Sequence, residues 1–306
     1  MTDSTAPSAA PAAPAAPAHL TAPLPHIGAW THYLMNAEIP VLAATARALE
    51  ELRAIEDDVD ANMLTAVIQA DPLMTLKLLS RMAALRRPGS DTETESVTTS
   101  LVLMGISPFF RHFGPQGVLE TWLADQPQAL LAMQGLLTRA ERAGQFALAF
   151  AIHRGDTDAT LIHQAAFLHD FAEILMWVYA PGLMVKIQTA QQADASLRSS
   201  AIQQEVLGVQ ISDVRQALMK LWRLPELLIS ISDERHAERA NVKSVVLAVR
   251  VARHSAYGWD NAALPDDFEE IAVLLNASPR IIPSFLQKVD HPMLAATMLA
   301  APKQSA

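Results

Sequence analysis

The chain has 306 residues, of which 51% are apolar and only 6% aromatic, and its formal net charge is −9. A negative balance of this size argues against general binding to nucleic acid or to anionic membranes, whose phosphate groups repel it. The absence of cysteine excludes disulfides and thiol chemistry. Many alanines and leucines, with only 11 glycines, favour an all-α fold.

The sequence also bears on localisation. It holds no apolar, uncharged run long enough to cross a bilayer. No Lys or Arg precedes Arg47, so the basic segment of a secretory signal is missing. We therefore expect a cytoplasmic protein, in keeping with the lack of cysteine.

The two ends of the chain are predicted to be tails. Residues 1–26 are rich in Ala and Pro, and prolines at this spacing prevent helix formation and favour an extended chain. We expect residues 1–26 to be a disordered, solvated tail and residues 291–306 to be a second, C-terminal tail.

Between the tails, apolar residues recur at helical spacing. Asp60 is a suitable N-cap for one helix. Asp71 followed by Pro72 is a strong start signal for the next, because a capping acceptor precedes a proline at the first helical position. A further helix is predicted from Ser96 to Met104, with Gly105 ending it.

The most informative stretch is a predicted apolar helix from Ala159 to Tyr179. At 100° per residue the side chains of His163, His169, Asp170 and Glu173 would share about a third of its circumference. A buried carboxylate needs a partner, because a lone charge in the interior costs several kcal/mol. A metal beside Asp170 would indicate an enzyme, whereas an arginine would indicate a non-catalytic domain.

The order of several motifs resembles the HDOD domain, the HD-related output domain of bacterial signalling proteins. The motifs that carry the resemblance are Asp71-Pro72, Met104-Gly105, His169-Asp170, Glu205-x-x-Gly208-Val209 and Trp222-x-Leu224-Pro225. The resemblance covers residues 27–290. It implies an all-α, HD-like multi-helix bundle in two packed lobes, an N-terminal helical lobe of residues 27–115 and an HD-like lobe of residues 116–290.

The resemblance also implies where a metal site would lie. HD-type phosphohydrolases hold one or two metals with an early His, a His-Asp pair and a later Asp. Here His169-Asp170 matches the pair, but Arg139 stands nearest the early His and Arg253 nearest the later Asp. We hypothesise that Arg139 or Arg253 neutralises Asp170 in place of a metal, since guanidinium binds carboxylate through paired hydrogen bonds.

These expectations favour a non-catalytic signal-transduction protein that binds a protein partner or a small ligand. The cleft between the lobes is the expected site, with His163, Glu173 and His236 as candidate cleft residues, and no cofactor or catalytic residue is predicted. The expected partners are bacterial signalling proteins of cyclic-dinucleotide or response-regulator systems, and not nucleic acid or membrane; a homodimer stays open. The alternative is a metal-dependent phosphohydrolase of nucleotides or cyclic dinucleotides.

Overall fold

The computed structural model describes residues 13–86, 96–194 and 197–290. Within these ranges the chain forms helices joined by short connections, and the only strand-like pairing there is a single bridge between Val41 and Val118. The predicted all-α fold is confirmed.

The first part of the chain forms six α-helices, which are α1 (Ile27–Asn36), α2 (Ala43–Arg53), α3 (Ala61–Gln69), α4 (Pro72–Leu85), α5 (Val97–Met104) and α6 (Ile106–His112). The predicted start signals are used. The side chains of Asp60 and Ser96 accept hydrogen bonds from the first turns of α3 and α5. Gly105 ends α5 at a φ of 80°, a conformation that favours glycine.

The rest of the chain supplies the remaining α-helices. These are α7 (Leu119–Trp122), α8 (Pro127–Arg154), α9 (Ala159–Phe167), α10 (Phe171–Tyr179), α11 (Pro181–Ala193), α12 (Ser199–Leu207), α13 (Ile211–Leu221), α14 (Glu226–Ile231), α15 (Ala240–His254), α16 (Leu264–Leu275) and α17 (Ile282–Val289). Three short 3-10 helices also form, at Glu56–Asp58, Glu234–His236 and Pro279–Ile281. Within the described ranges, no helix has the combination of length and hydropathy that a bilayer crossing requires.

The prediction of one helix from Ala159 to Tyr179 is wrong. The chain turns between α9 and α10, where the His169 amide bonds to the Ala166 carbonyl and the Phe171 amide to the Leu168 carbonyl. Arg215 donates to the His169 carbonyl at 3.2 Å, so a side chain satisfies an acceptor at the break. His169 and Asp170 therefore sit in a turn.

Two clusters of buried apolar side chains form the core. The smaller is built from α2 to α6, and the larger from α1 together with α7 to α17. Helix α4 contributes to both, because Met74 and Leu78 lie in the smaller cluster while Leu73, Leu76 and Leu79 lie in the larger. Helix α4 thus joins the two clusters, and the lobe boundary near residue 115 stays a prediction.

The N-terminal segment makes contacts with the helices that its composition does not predict. Leu20 donates its amide to the Tyr179 carbonyl at 2.7 Å, and the Trp122 indole donates to the Pro14 carbonyl at 3.3 Å. Leu20 and Leu24 pack on the larger cluster. Tertiary contacts therefore hold parts of this segment, while most of residues 13–26 are exposed and the tail boundary stays a prediction. Residues 1–12 and 291–306 lie outside the described residues.

Candidate functional site around Arg139 and Asp170

A three-residue ion cluster joins α8 to the start of α10. Arg139 Nε donates to Asp170 Oδ2 at 2.6 Å, and an Arg139 terminal nitrogen donates to Glu173 Oε2 at 3.0 Å. Asp170 is only 5% exposed, whereas the Glu173 side chain is 30% exposed. One guanidinium group therefore contacts two carboxylates, one buried and one at the edge of the interior.

The second carboxylate oxygen of Asp170 contacts His169, which belongs to a hydrogen-bond network with Glu234 and Arg215. His169 Nδ1 lies 2.8 Å from Asp170 Oδ1, and His169 Nε2 lies 2.9 Å from Glu234 Oε1. Arg215, which is 4% exposed, donates to the same Glu234 oxygen at 2.6 Å. Both ring nitrogens of His169 and both carboxylate oxygens of Asp170 are thus already in contact with protein groups.

Burial and neighbouring charges shift the pKa values of the Asp170 and Glu173 carboxyl groups in opposite directions. Burial alone would raise the pKa of Asp170, but the Arg139 charge and the His169 hydrogen bond hold that pKa below its usual range. Burial raises the pKa of Glu173 above its ordinary value, although Arg139 and Arg253 oppose the change. The pKa of Arg139 is raised because both carboxylate charges outweigh its own desolvation. Asp170 and Arg139 therefore form a charged pair.

Arg253 occupies a different position from Arg139. It is exposed on α15 and lines a cavity of about 630 Å³ that Arg139 and Glu173 also border. Among the residues that the structure describes, Asp170 has its arginine contact with Arg139 and not with Arg253. Of the two arginines in our hypothesis, the structure thus brings Arg139 to Asp170.

The three predicted cleft residues do not share one cleft. Glu173 borders the 630 Å³ cavity, whereas His163 borders a separate cavity of about 350 Å³ between α3, α4 and α5 on one side and α8 and α9 on the other. His236 is exposed and contacts Glu238. The break after α9 explains the separation, because His163 no longer lies on a common helical face with Asp170 and Glu173.

Three further charged residues lie at or beside the site and are not among the predicted site residues, namely Arg142, Arg215 and Glu234. Arg215 and Glu234 hold His169, as described above. Arg142, one turn after Arg139 on α8, binds Asp290 at 2.7 Å and donates to Ser255 at 2.7 Å. In the sequence, the only sign of Arg142 is its spacing of three residues from Arg139, which places both arginines on one side of α8. The residues they bind come from distant parts of the chain.

The residues present do not fit the metal centre of an HD-type phosphohydrolase. Across the described ranges there is no group of three or more His, Asp or Glu side chains arranged to hold an ion. The imidazole of His169 has no nitrogen left for a ligand bond, and Arg139 places a fixed positive charge against Asp170. A divalent cation needs several free oxygen or imidazole ligands and would be repelled by this charge.

The family assignment rests on sequence as well as fold. The family model of the HDOD domain matches residues 39–238, about two thirds of the chain. This protein belongs to the HDOD family. No curated protein matches the HDOD chain in sequence.

Two solved structures share the fold of this HDOD protein. The MmoQ response regulator from Methylococcus capsulatus is 20% identical, with a TM-score of 0.57 over 78% of this chain and 98% of its own. A virulence factor from Campylobacter jejuni is 16% identical, with a TM-score of 0.57 over 91% of this chain and 98% of its own. At these identities the likeness shows the fold.

His163 gives the protein a predicted pH dependence. Burial lowers the pKa of His163 to about 4, below the value near 6.5 of an unfolded chain. The unfolded state therefore binds the proton first as the pH falls, and stability is lost from about pH 6.5 down to about pH 4. Urea unfolding should show that this group removes about 1–2 kcal/mol between pH 7 and pH 5.

The variant His163→Gln should lack this part of the pH dependence. His236→Gln is the matched control, since His236 is exposed, and it should keep the wild-type profile. Equal pH profiles for wild type and His163→Gln would show that His163 is not held neutral by burial.

Proposed function

We propose that this HDOD protein is a non-catalytic signal-transduction protein that acts by binding a protein partner or a small ligand. The observation that carries the proposal is the position of Arg139. Its guanidinium group bonds Asp170 at 2.6 Å and Glu173 at 3.0 Å, where the HD-type resemblance leads us to expect a metal ligand.

A fixed guanidinium charge can replace the structural role of an ion but not its chemistry. It neutralises the buried carboxylate of Asp170 and ties α8 to α10. It offers no open coordination position, so it cannot activate a water molecule as a nucleophile in the way a bound metal does. On this proposal the role of the site is structural: it stabilises the packing of α8 against α10 in the HD-like bundle.

Signalling by contact is supported by the family and by the fold. HDOD proteins resemble HD enzymes without their full ligand set, and one protein of the same fold is named a response regulator. We therefore propose partners among bacterial signalling proteins, such as response-regulator or cyclic-dinucleotide systems.

For a small ligand, the cavity of about 350 Å³ between the clusters is the better candidate site. It is bordered by His163, which burial keeps neutral near pH 7, and by Gln164, whose Oε1 is buried without a hydrogen-bond partner. A buried, unpaired acceptor favours a ligand that donates a hydrogen bond. The ligand would be a small, uncharged, polar molecule.

A hydrolysis assay tests the non-catalytic role against the phosphohydrolase alternative. Purified protein supplied with Mn²⁺, Fe²⁺ or Ni²⁺ is given bis(p-nitrophenyl) phosphate and cyclic di-GMP. We expect the same rate for wild type, for His169→Ala and for buffer, because the described residues offer no set of ligands that could hold the ion. Metal-dependent turnover by wild type that is lost in His169→Ala would contradict the proposal and establish the alternative.

A further inference from the structure

The N-terminal segment of residues 13–20 lies in an aromatic-lined groove. Neither helix nor strand forms in these residues. The groove walls come from α1, from the chain just after it and from two distant aromatic residues. Its lining residues on the folded domain include His32, Tyr33, Asn36, Glu38, Trp122 and Tyr179. The segment therefore crosses a surface assembled from remote parts of the sequence.

The contacts follow the general chemistry by which proline-rich segments are recognised. Pro14 and Pro17 are three residues apart, which is one turn of a polyproline II helix, so in that conformation they would share a face. Trp122 donates its indole N–H to the Pro14 carbonyl at 3.3 Å, and Pro17 borders the groove. Tyr33 and Tyr179 meet edge to face, with ring centroids 5.6 Å apart. Aromatic grooves with an indole donor suit such pre-extended peptides.

The walls of the groove are held firmly. Trp122 is 4% exposed and packs over Gly117, where an added Cβ would collide with the indole ring. The Tyr179 hydroxyl donates to the Glu38 carbonyl, which ties the end of α10 to the chain after α1. The aromatic surface is thus formed by the folded domain.

The segment fits this groove incompletely. A cavity of about 500 Å³ remains, and Ala15 and Pro17 border it together with the aromatic residues. In addition, His19 Nε2 is buried without a hydrogen-bond partner, which costs free energy. A proline-rich segment with a larger apolar side chain at the position of Ala15 would fill the space better.

We propose that this groove recognises a proline-rich, extended segment of a partner protein, and that residues 13–20 occupy it in cis until such a segment displaces them. The inference goes beyond the proposed function, since the groove shares no lining residue with the cavity beside Arg139. The linked tail acts as a competitor at high effective concentration. Its displacement would expose the groove and free the N-terminus together.

The test uses the full chain and a fluorescein-labelled peptide with the sequence of residues 13–25, followed by fluorescence anisotropy. Full-length Pro14→Gly/Pro17→Gly weakens the cis segment without altering the groove walls. We expect it to bind the peptide at least about tenfold more tightly than wild type, because the tethered competitor is weakened. Pro23→Gly, a tail change outside the groove lining, is the matched control and should behave as wild type.

Two changes probe the recognition chemistry in the released protein. Adding Trp122→Phe, which keeps a ring but removes the indole donor, should weaken peptide binding about fivefold while circular dichroism stays unchanged. A peptide carrying Ala15→Leu should bind about threefold more tightly than the native peptide, because it fills the cavity.

Several results would overturn the proposal. Equal peptide binding by wild type and by Pro14→Gly/Pro17→Gly would show that the segment does not block the groove. Equal binding of a peptide whose prolines are replaced by glycine would show that no extended proline-rich shape is recognised. A wild-type dimer in sedimentation velocity that dissociates in Pro14→Gly/Pro17→Gly would show that a second copy, and not the same chain, supplies the occupant.

Discussion

The variant Arg139→Met should lower the free energy of unfolding by about 3–5 kcal/mol, the range measured when one partner of a buried ion pair is removed. Asp170 is 5% exposed and receives the Arg139 bond at 2.6 Å. Methionine retains much of the side-chain volume but removes the guanidinium group that bonds both carboxylates, Asp170 and Glu173. Chemical denaturation at pH 7 measures the change.

Arg253→Met is the matched control for Arg139→Met. Arg253 borders the same cavity but is exposed, so its loss should change stability by less than about 0.5 kcal/mol. Replacing both partners, in Arg139→Met/Asp170→Asn, should recover part of the loss, because the uncompensated charge is removed with its partner. Equal stabilities of Arg139→Met and Arg253→Met would show that Arg139 is not the counter-ion of Asp170.

The variant Asp71→Ala should cost about 3 kcal/mol, because several buried backbone donors lose their acceptor at once. Asp71 is fully buried, and its carboxylate accepts from the amides of Leu73 at 2.8 Å and Met74 at 3.2 Å in the first turn of α4. It also accepts from the Leu42 amide at 2.8 Å, just before α2. One side chain therefore caps α4 and fixes the start of α2 against it.

Asp60→Ala provides the comparison for Asp71→Ala. Asp60 caps α3 through one exposed bond to the Met63 amide at 2.9 Å, so its loss should cost about 1 kcal/mol. The larger expected cost at Asp71 comes from burial and from the bond to Leu42. If thermal or urea unfolding gave both variants the same loss, the link between α2 and α4 would contribute nothing.

Local signals in the sequence predict much of the helical frame. Asp71 with Pro72, Ser96 and Gly105 act through their own backbone and nearest neighbours, so their pattern suffices to place helix ends. Helix α16 begins with a start signal of the same kind, since Pro265 stands in its first turn and acidic residues follow.

The turn at His169-Asp170 could not be predicted in this way. Its apolar surroundings are typical of a continuous helix, whereas Arg215 and Arg139, from two other helices, bond to the His169 carbonyl and the Asp170 carboxylate at the break. The contacts of the N-terminal segment could not be predicted for the same reason. Its composition predicts only solvation, whereas its hydrogen bonds go to Trp122 and Tyr179, which are far along the chain. The family resemblance indicates both Arg139 and Arg253 as candidates. The bond between Arg139 and Asp170 identifies Arg139 as the partner.

The most direct measurement for the central claim is a titration of the purified wild-type protein with Mn²⁺, in which electron paramagnetic resonance follows the free ion. If the guanidinium charge of Arg139 occupies the place of an ion beside Asp170, the protein should bind no Mn²⁺. The signal of free Mn²⁺ should then equal the signal in buffer without protein at every Mn²⁺ concentration. Loss of that signal up to one ion per chain, reversed by a chelator and absent in His169→Ala, would contradict the account.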